Sequence, residues 1–266
     1  MSVAVFVAVT SAVSALLWLL GAAAPGELVV AALPVSALMF VAPGIGAAVA
    51  VRVRRRSGPP DGAWPAAARR ALRWAALLPA VVLAAAALDA WVGPTTPDPV
   101  PSATALVVVS LGLLVSGLVE ESGWTWFLRR ALGERWAATL PTVLVGLLWA
   151  GLHVIPWTQA GRSPGWVLGQ AAFSVALRLL IADVVAPAPE RAADARTGLL
   201  LATVLHATYN IAWVALPVLG LGYSPWLTAA LTLVVVLARQ VRRAARRQDA
   251  GLAARWSATS PPVRLR

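Results

Sequence analysis

The stretch ATALVVVSLGLLVSGLVEESGWTWFL, Ala103 to Leu128, is apolar over its whole length except for two adjacent carboxylates, Glu120 and Glu121. About 20 mainly apolar residues suffice for a helix to cross a bilayer, so this segment reads as a membrane span. Ionisable groups are costly in hydrocarbon, about 2.5–3.5 kcal/mol for a central Asp, Lys or Arg even on a lenient insertion scale. A span that keeps two glutamates therefore turns them toward an interior cavity, where such residues usually do chemistry or transport. Both histidines of the chain lie in comparable surroundings: His153 in LWAGLHVIP and His206 in TVLHATYN.

Composition extends this reading to the whole chain. Hydrophobic residues make up 59% of the 266 positions and mean hydropathy is +0.77, more than one soluble core needs. Spans are expected at Val3 to Ala22, Leu28 to Val51, Ala71 to Val92, Ala103 to Leu128, Thr139 to Ile155, Trp166 to Ala186, Thr197 to Leu219 and Tyr223 to Ala238. The expected fold class is thus all-α, a polytopic transmembrane bundle of about eight helices. Turn clusters such as Ser57-Gly58-Pro59-Pro60-Asp61-Gly62 and Gly93-Pro94-Thr95-Thr96-Pro97 separate the spans. The expected organisation is residues 1–100 as N-terminal helices with an Arg-rich loop, 101–220 as the core that carries the polar residues, and 221–266 as a last span with an Arg-rich tail. The first span, followed by Ala22-Ala23-Ala24, has no basic residue before it and reads as an uncleaved anchor.

The net charge of +11 comes from arginine alone, since the chain has no lysine. With Met1 inside the cell, every arginine except Arg162 and Arg178 falls in an inside segment, as retention of positive charge in cytoplasmic loops requires. Such a distribution predicts a multi-pass protein of the cell membrane with both termini cytoplasmic. It assigns the tail from Arg239 onward to anionic lipid headgroups and leaves nucleic acid without a role. The Ser257-to-Arg266 end reads as disordered. Without cysteine there is no disulfide, thiolate nucleophile or Cys-bound zinc.

A site needs its groups at one depth. With a rise of about 1.5 Å per residue, Glu120 and Arg178 lie about 12 Å from the inner boundary, His206 about 14 Å, Asn210 about 20 Å and His153 about 21 Å. All fall toward the middle of a core about 30 Å thick. His206 and Asn210 share one helix face, as do Trp149 and His153. Consecutive Glu120 and Glu121 point about 100° apart, so both need not enter one cavity. Two carboxylates this close would not ionise independently. Ordinary roles remain open for each piece: an interhelical hydrogen bond for a histidine, a staple for His206 and Asn210, a frayed helix end for the glutamates if the span stops at Val119.

The three segments Glu120-Glu121-Ser122-Gly123-Trp124, Trp149-Ala150-Gly151-Leu152-His153 and His206-Ala207-Thr208-Tyr209-Asn210 together resemble the motifs of the CPBP family, also called Abi. These are the intramembrane CAAX-type proteases related to the Ras-converting CAAX endopeptidases. Their pattern is Glu-Glu-x-x-x-Arg, aromatic-x-x-x-His and His-x-x-x-Asn, and the resemblance covers residues 103 to 219. It implies hydrolysis of a peptide bond in a membrane-protein or lipidated-peptide substrate. Glu120 would activate water with help from His153, His206 and Asn210 would stabilise the oxyanion, and Glu121 would support them. Members have been described both as metalloproteases and as metal-free glutamate proteases; Glu120, His153 and His206 could supply three ligands to a zinc ion. The chain departs from the pattern at Thr125, where the family has arginine. Arg178, the one arginine deep in a span, is the candidate for the missing counter-charge, with snorkelling toward the inner face or pairing with Asp183 as its alternatives. A non-catalytic scaffold or immunity protein and a proton-coupled transporter are the competing functional classes.

Overall fold

The structure is a computed structural model that describes residues 2–23, 35–54, 64–133, 139–185 and 192–259. Every element among the described residues is helical. In chain order these are α1 (Ser2–Ala23), a 3-10 turn (Val35–Phe40) leading into α2 (Val41–Arg54), α3 (Trp64–Ala75), α4 (Leu77–Val92), α5 (Ala103–Glu121), a π-helical segment (Ser122–Arg129), α6 (Arg130–Gly133), α7 (Thr139–Gln159), α8 (Pro164–Val185), α9 (Ala192–Ala215) and α10 (Pro225–Thr259). Among the described residues seven helical stretches are long and apolar enough to cross a membrane, which makes this a multi-pass membrane protein. The eighth expected span, Tyr223 to Ala238, falls in the first half of α10, which begins two residues later and runs on to Thr259. In the second span, residues 28–34 lie outside the described residues. So do Arg55 and Arg56, Arg135, Arg191, Ala24 of the cleavage-like run and positions 260–266 of the tail.

Local chemistry accounts for the ends of the helices that frame the polar residues. Ser102 caps α5 by accepting the Ala105 amide at 3.1 Å. Pro164 opens α8 at a position where no amide hydrogen is needed, and Ser163 accepts the Trp166 amide at 3.3 Å. The span ending at Leu219 stops at Gly220, whose φ of 67° is the left-handed conformation that glycine adopts without steric cost.

Helix α9 is central and packs against α3, α4, α5 and α8, while α8 also packs against α7 and α10. Helix α2 packs on the π segment and α5, and Phe6 of α1 meets the π segment through the Trp124 and Phe127 rings. A Cβ at Gly123 would collide with Pro43, so only glycine lets the π segment lie directly on α2. At Gly146 a Cβ would come within 2.9 Å of Val175 Cα; α7 and α8 thus approach closely one turn below Trp149. The fourth span does not fray at Val119. It continues through the π segment to Gly133, which keeps both glutamates inside the bundle.

Near the other end of α8, Asp183 is held by Arg239, Nε to Oδ2 at 2.5 Å, and by Arg243, Nη1 to Oδ1 at 2.6 Å. The Arg239 guanidinium also lies over the Trp74 ring at 4.3 Å. On the opposite side, Arg162 and Asp98 form a two-armed ion pair at 2.9 Å across two connecting segments.

Gln170 of α8 closes a three-membered ring with two tyrosines. Its Nε2 donates to the Tyr209 hydroxyl at 2.6 Å, its Oε1 accepts from the Tyr223 hydroxyl at 2.8 Å, and the hydroxyls meet at 3.0 Å. All three side chains are buried. Gln170→Leu would leave both hydroxyls without their amide partner, at about 1–3 kcal/mol for an unsatisfied buried group. A fall in the thermal midpoint in detergent, several degrees below that of an exposed α10 control such as Gln248→Leu, is the expected result.

Candidate functional site

The two glutamates take separate partners. Glu121, 0% exposed, accepts from Arg178 Nη1 at 2.6 Å (Oε1) and 2.7 Å (Oε2), from His206 Nδ1 at 2.8 Å and from the Thr125 hydroxyl at 2.5 Å. Glu120 accepts from Trp149 Nε1 at 2.6 Å and from the Ser116 hydroxyl at 3.1 Å. The divergence follows from the helical period: successive side chains leave the axis about 100° apart, so Glu121 turns toward α8 and α9 while Glu120 meets α7. Thr125 and Ser116 stand four residues after and before the glutamates they serve, the ordinary reach along a helix face. The π segment begins right after Glu121, and π-helical turns within longer helices recur at functional sites.

Arg178 does not snorkel and does not pair with Asp183, which the arginines of α10 occupy. Side chains on a helix lean toward its N-terminus, and Arg178, 2% exposed, reaches back along α8 into the bundle. There its guanidinium lies over the Trp149 ring at 4.7 Å. A buried carboxylate is tolerated only when paired and hydrogen-bonded. Glu121 has one arginine, one imidazole and one hydroxyl, and α8 supplies the cation that position 125 lacks.

The imidazoles are ordered by acceptors. A carboxylate and a carbonyl can only accept, so the hydrogen on His206 is placed at Nδ1, facing Glu121, and that on His153 at Nδ1, facing the Trp149 carbonyl at 2.8 Å. Both rings keep Nε2 uncommitted. They flank the Trp149 indole, with ring centroids 4.9 Å (His153) and 5.2 Å (His206) from it. His153 and Asn210 are half-buried, and neither the His153 Nε2 nor the Asn210 amide bonds to another described residue. A groove of about 310 Å³ opens between α1 and α7, floored by Trp124 and walled by Phe6, Leu144, Leu148 and Leu152.

Glu120, Glu121, His206 and Arg178 thus converge through Trp149. His153 joins through ring contact, with no hydrogen bond to Glu120, and Asn210 lies four residues beyond His206 on the same face of α9. Among the described residues no three His, Asp or Glu side chains are grouped to hold a metal ion. The Trp149 indole stands against Glu120, His153 and His206, and His206 spends Nδ1 on Glu121. Sequence reasoning missed Ser116, the donor role of Thr125 and the Gln170 ring. The first two are visible as hydroxyls at i±4 from a glutamate, and Gln170 as the one side-chain amide of the span Pro164–Val185.

No protein-family model matches the chain, and no curated protein matches it.

Proposed function

We propose that this protein is an intramembrane endopeptidase of the CAAX-protease type, hydrolysing a peptide bond in a membrane-protein or lipidated-peptide substrate. The observation that carries the reading is the pairing of the two buried glutamates, one locked by Arg178 and His206, the other held by two neutral donors. Glu121 is saturated and stays an anion that balances its neighbours. Glu120 has oxygen lone pairs to spare and is the group that takes a proton from water.

In this mechanism a water molecule lies between a Glu120 oxygen and the Nε2 lone pair of His153, and attacks the scissile carbonyl as Glu120 removes its proton. The developing oxyanion faces α9, where the Asn210 amide donates to it. His206 donates from Nε2 only when its ring carries both protons, and Glu121 is the carboxylate that balances the second. Fixed donors aimed at such an oxyanion contribute on the order of 10²–10³-fold each. The Glu120 proton passes to the leaving amine. This scheme uses no metal, in keeping with the absence of a ligand trio among the described residues.

The reading places both termini in the cytoplasm of a cell-membrane protein. It also seats the exposed Arg242, Arg246 and Arg247 of α10 among anionic headgroups, since Arg239 and Arg243 are already committed to Asp183. Its test is a cleavage assay on purified protein in detergent, with a panel of membrane-protein C-terminal segments, in the presence and absence of chelator. Cleavage that survives the chelator is expected. No cleavage of any segment by folded protein sinks the peptidase reading and leaves a scaffold; cleavage abolished by chelator sinks the metal-free scheme.

A further inference from the structure

Arg178 uses its guanidinium in an unusual way. Arginine usually meets a carboxylate through two nitrogens of its fork, but here Nη1 alone makes both contacts to Glu121. Nε and Nη2 are buried and have no hydrogen-bond partner among the described residues. What the group does instead is sit over the indole: its central carbon is 4.7 Å from the centroid of the Trp149 ring. The edge of that same indole donates Nε1 to Glu120 at 2.6 Å. One cation therefore touches Glu121 directly and the holder of Glu120 through its face. His206 also bonds Glu121 and packs edge-on against the Trp149 ring, but of the two only the guanidinium is a cation at every pH.

We infer that Arg178 is a positioning residue for both glutamates, fixing Glu121 by its ion pair and Glu120 by pinning the Trp149 indole. The inference rests on the reading of Glu120 as the water-activating group, because only then does its placement set a rate. The physical argument is short. A cation over an indole face is attracted to the ring quadrupole, most strongly where water is excluded, and Trp is the best such face. An indole free to rotate about its two side-chain torsions would carry its N–H away from Glu120; the guanidinium removes that freedom. Thr125, a neutral donor in the π segment that bonds Glu121, cannot do this. Placing the arginine on α8 lets one charge fix two carboxylates that point apart.

Two measurements decide the matter. The first needs no activity: double-mutant cycles of thermal unfolding in detergent, pairing Arg178→Gln with Glu121→Gln and, separately, with Trp149→Phe. Contacting residues couple, whereas independent ones add. Midpoint shifts well short of the sum of the single variants are expected in both cycles. Additive shifts in the Trp149 cycle overturn the link to Glu120. The second is kinetic, normalised to folded protein. Arg178→Gln should lower kcat about 100-fold, the scale of a small misplacement of a catalytic group, with KM within about threefold. Arg178→Lys, which keeps a cation near the ring, should be at least about tenfold faster than the Gln variant. Equal rates for Lys and Gln, or a loss carried by KM, overturn the inference. If the wild-type protein cleaves nothing, the peptidase reading falls while the cycles still decide whether Arg178 holds both arms.

Discussion

Glu120→Gln should leave a folded protein that cleaves about 10²–10⁴-fold more slowly, the contribution typical of a positioned general base. The substitution is conservative in volume and in hydrogen bonding. The Gln oxygen can accept from Trp149 Nε1 and its amide can donate to the Ser116 oxygen, so both contacts of the native carboxylate persist. Only the capacity to take a proton is lost. Cleavage by the Gln variant at the native rate, with an unchanged unfolding midpoint, would remove Glu120 from the mechanism.

The largest effect on stability belongs to its neighbour. Glu121→Ala would strand Arg178 and His206 in a site with almost no solvent contact, and removing one partner of a buried pair costs about 3–5 kcal/mol. Part of that cost falls on the freed Thr125 hydroxyl, buried as well. Glu121→Ala combined with Arg178→Leu should recover much of the loss, since it removes the stranded charge. Thermal unfolding or protease resistance in detergent would read the series. A single variant as stable as the native protein would mean that the ion pair is not what holds α5, α8 and α9 together at this depth.

Much of this arrangement is legible in the residues. Spans announce themselves because no soluble chain tolerates apolar runs of such length, and the glutamates, histidines and Arg178 stand out because hydrocarbon penalises each of them. Their partners are harder to read. Glu120 and Glu121 are chemically identical and adjacent, and only the rotation of the helix and the positions of α7, α8 and α9 decide which one meets Trp149 and which one Arg178. Depth estimates put Arg178 level with Glu120, yet it binds Glu121, because one residue shifts the depth by about 1.5 Å and the bearing by about 100°. The π segment has no compositional mark: Ser122–Arg129 would suit an α-helix equally well. Nor can spacing express that one indole, Trp149, stands against Glu120, His153 and His206 together.

The clamp on Asp183 has a consequence for how the chain is made. Its two arginines lie 56 and 60 residues further along, on α10. Until α10 is inserted, the C-terminal end of α8 carries a carboxylate without these two cations, although the helices bearing the glutamates and imidazoles are already complete. Insertion of α10 therefore sets an electrostatic latch, and a nascent protein cut short before Arg239 would hold every residue of the site without the pairs that tie α8 to α10.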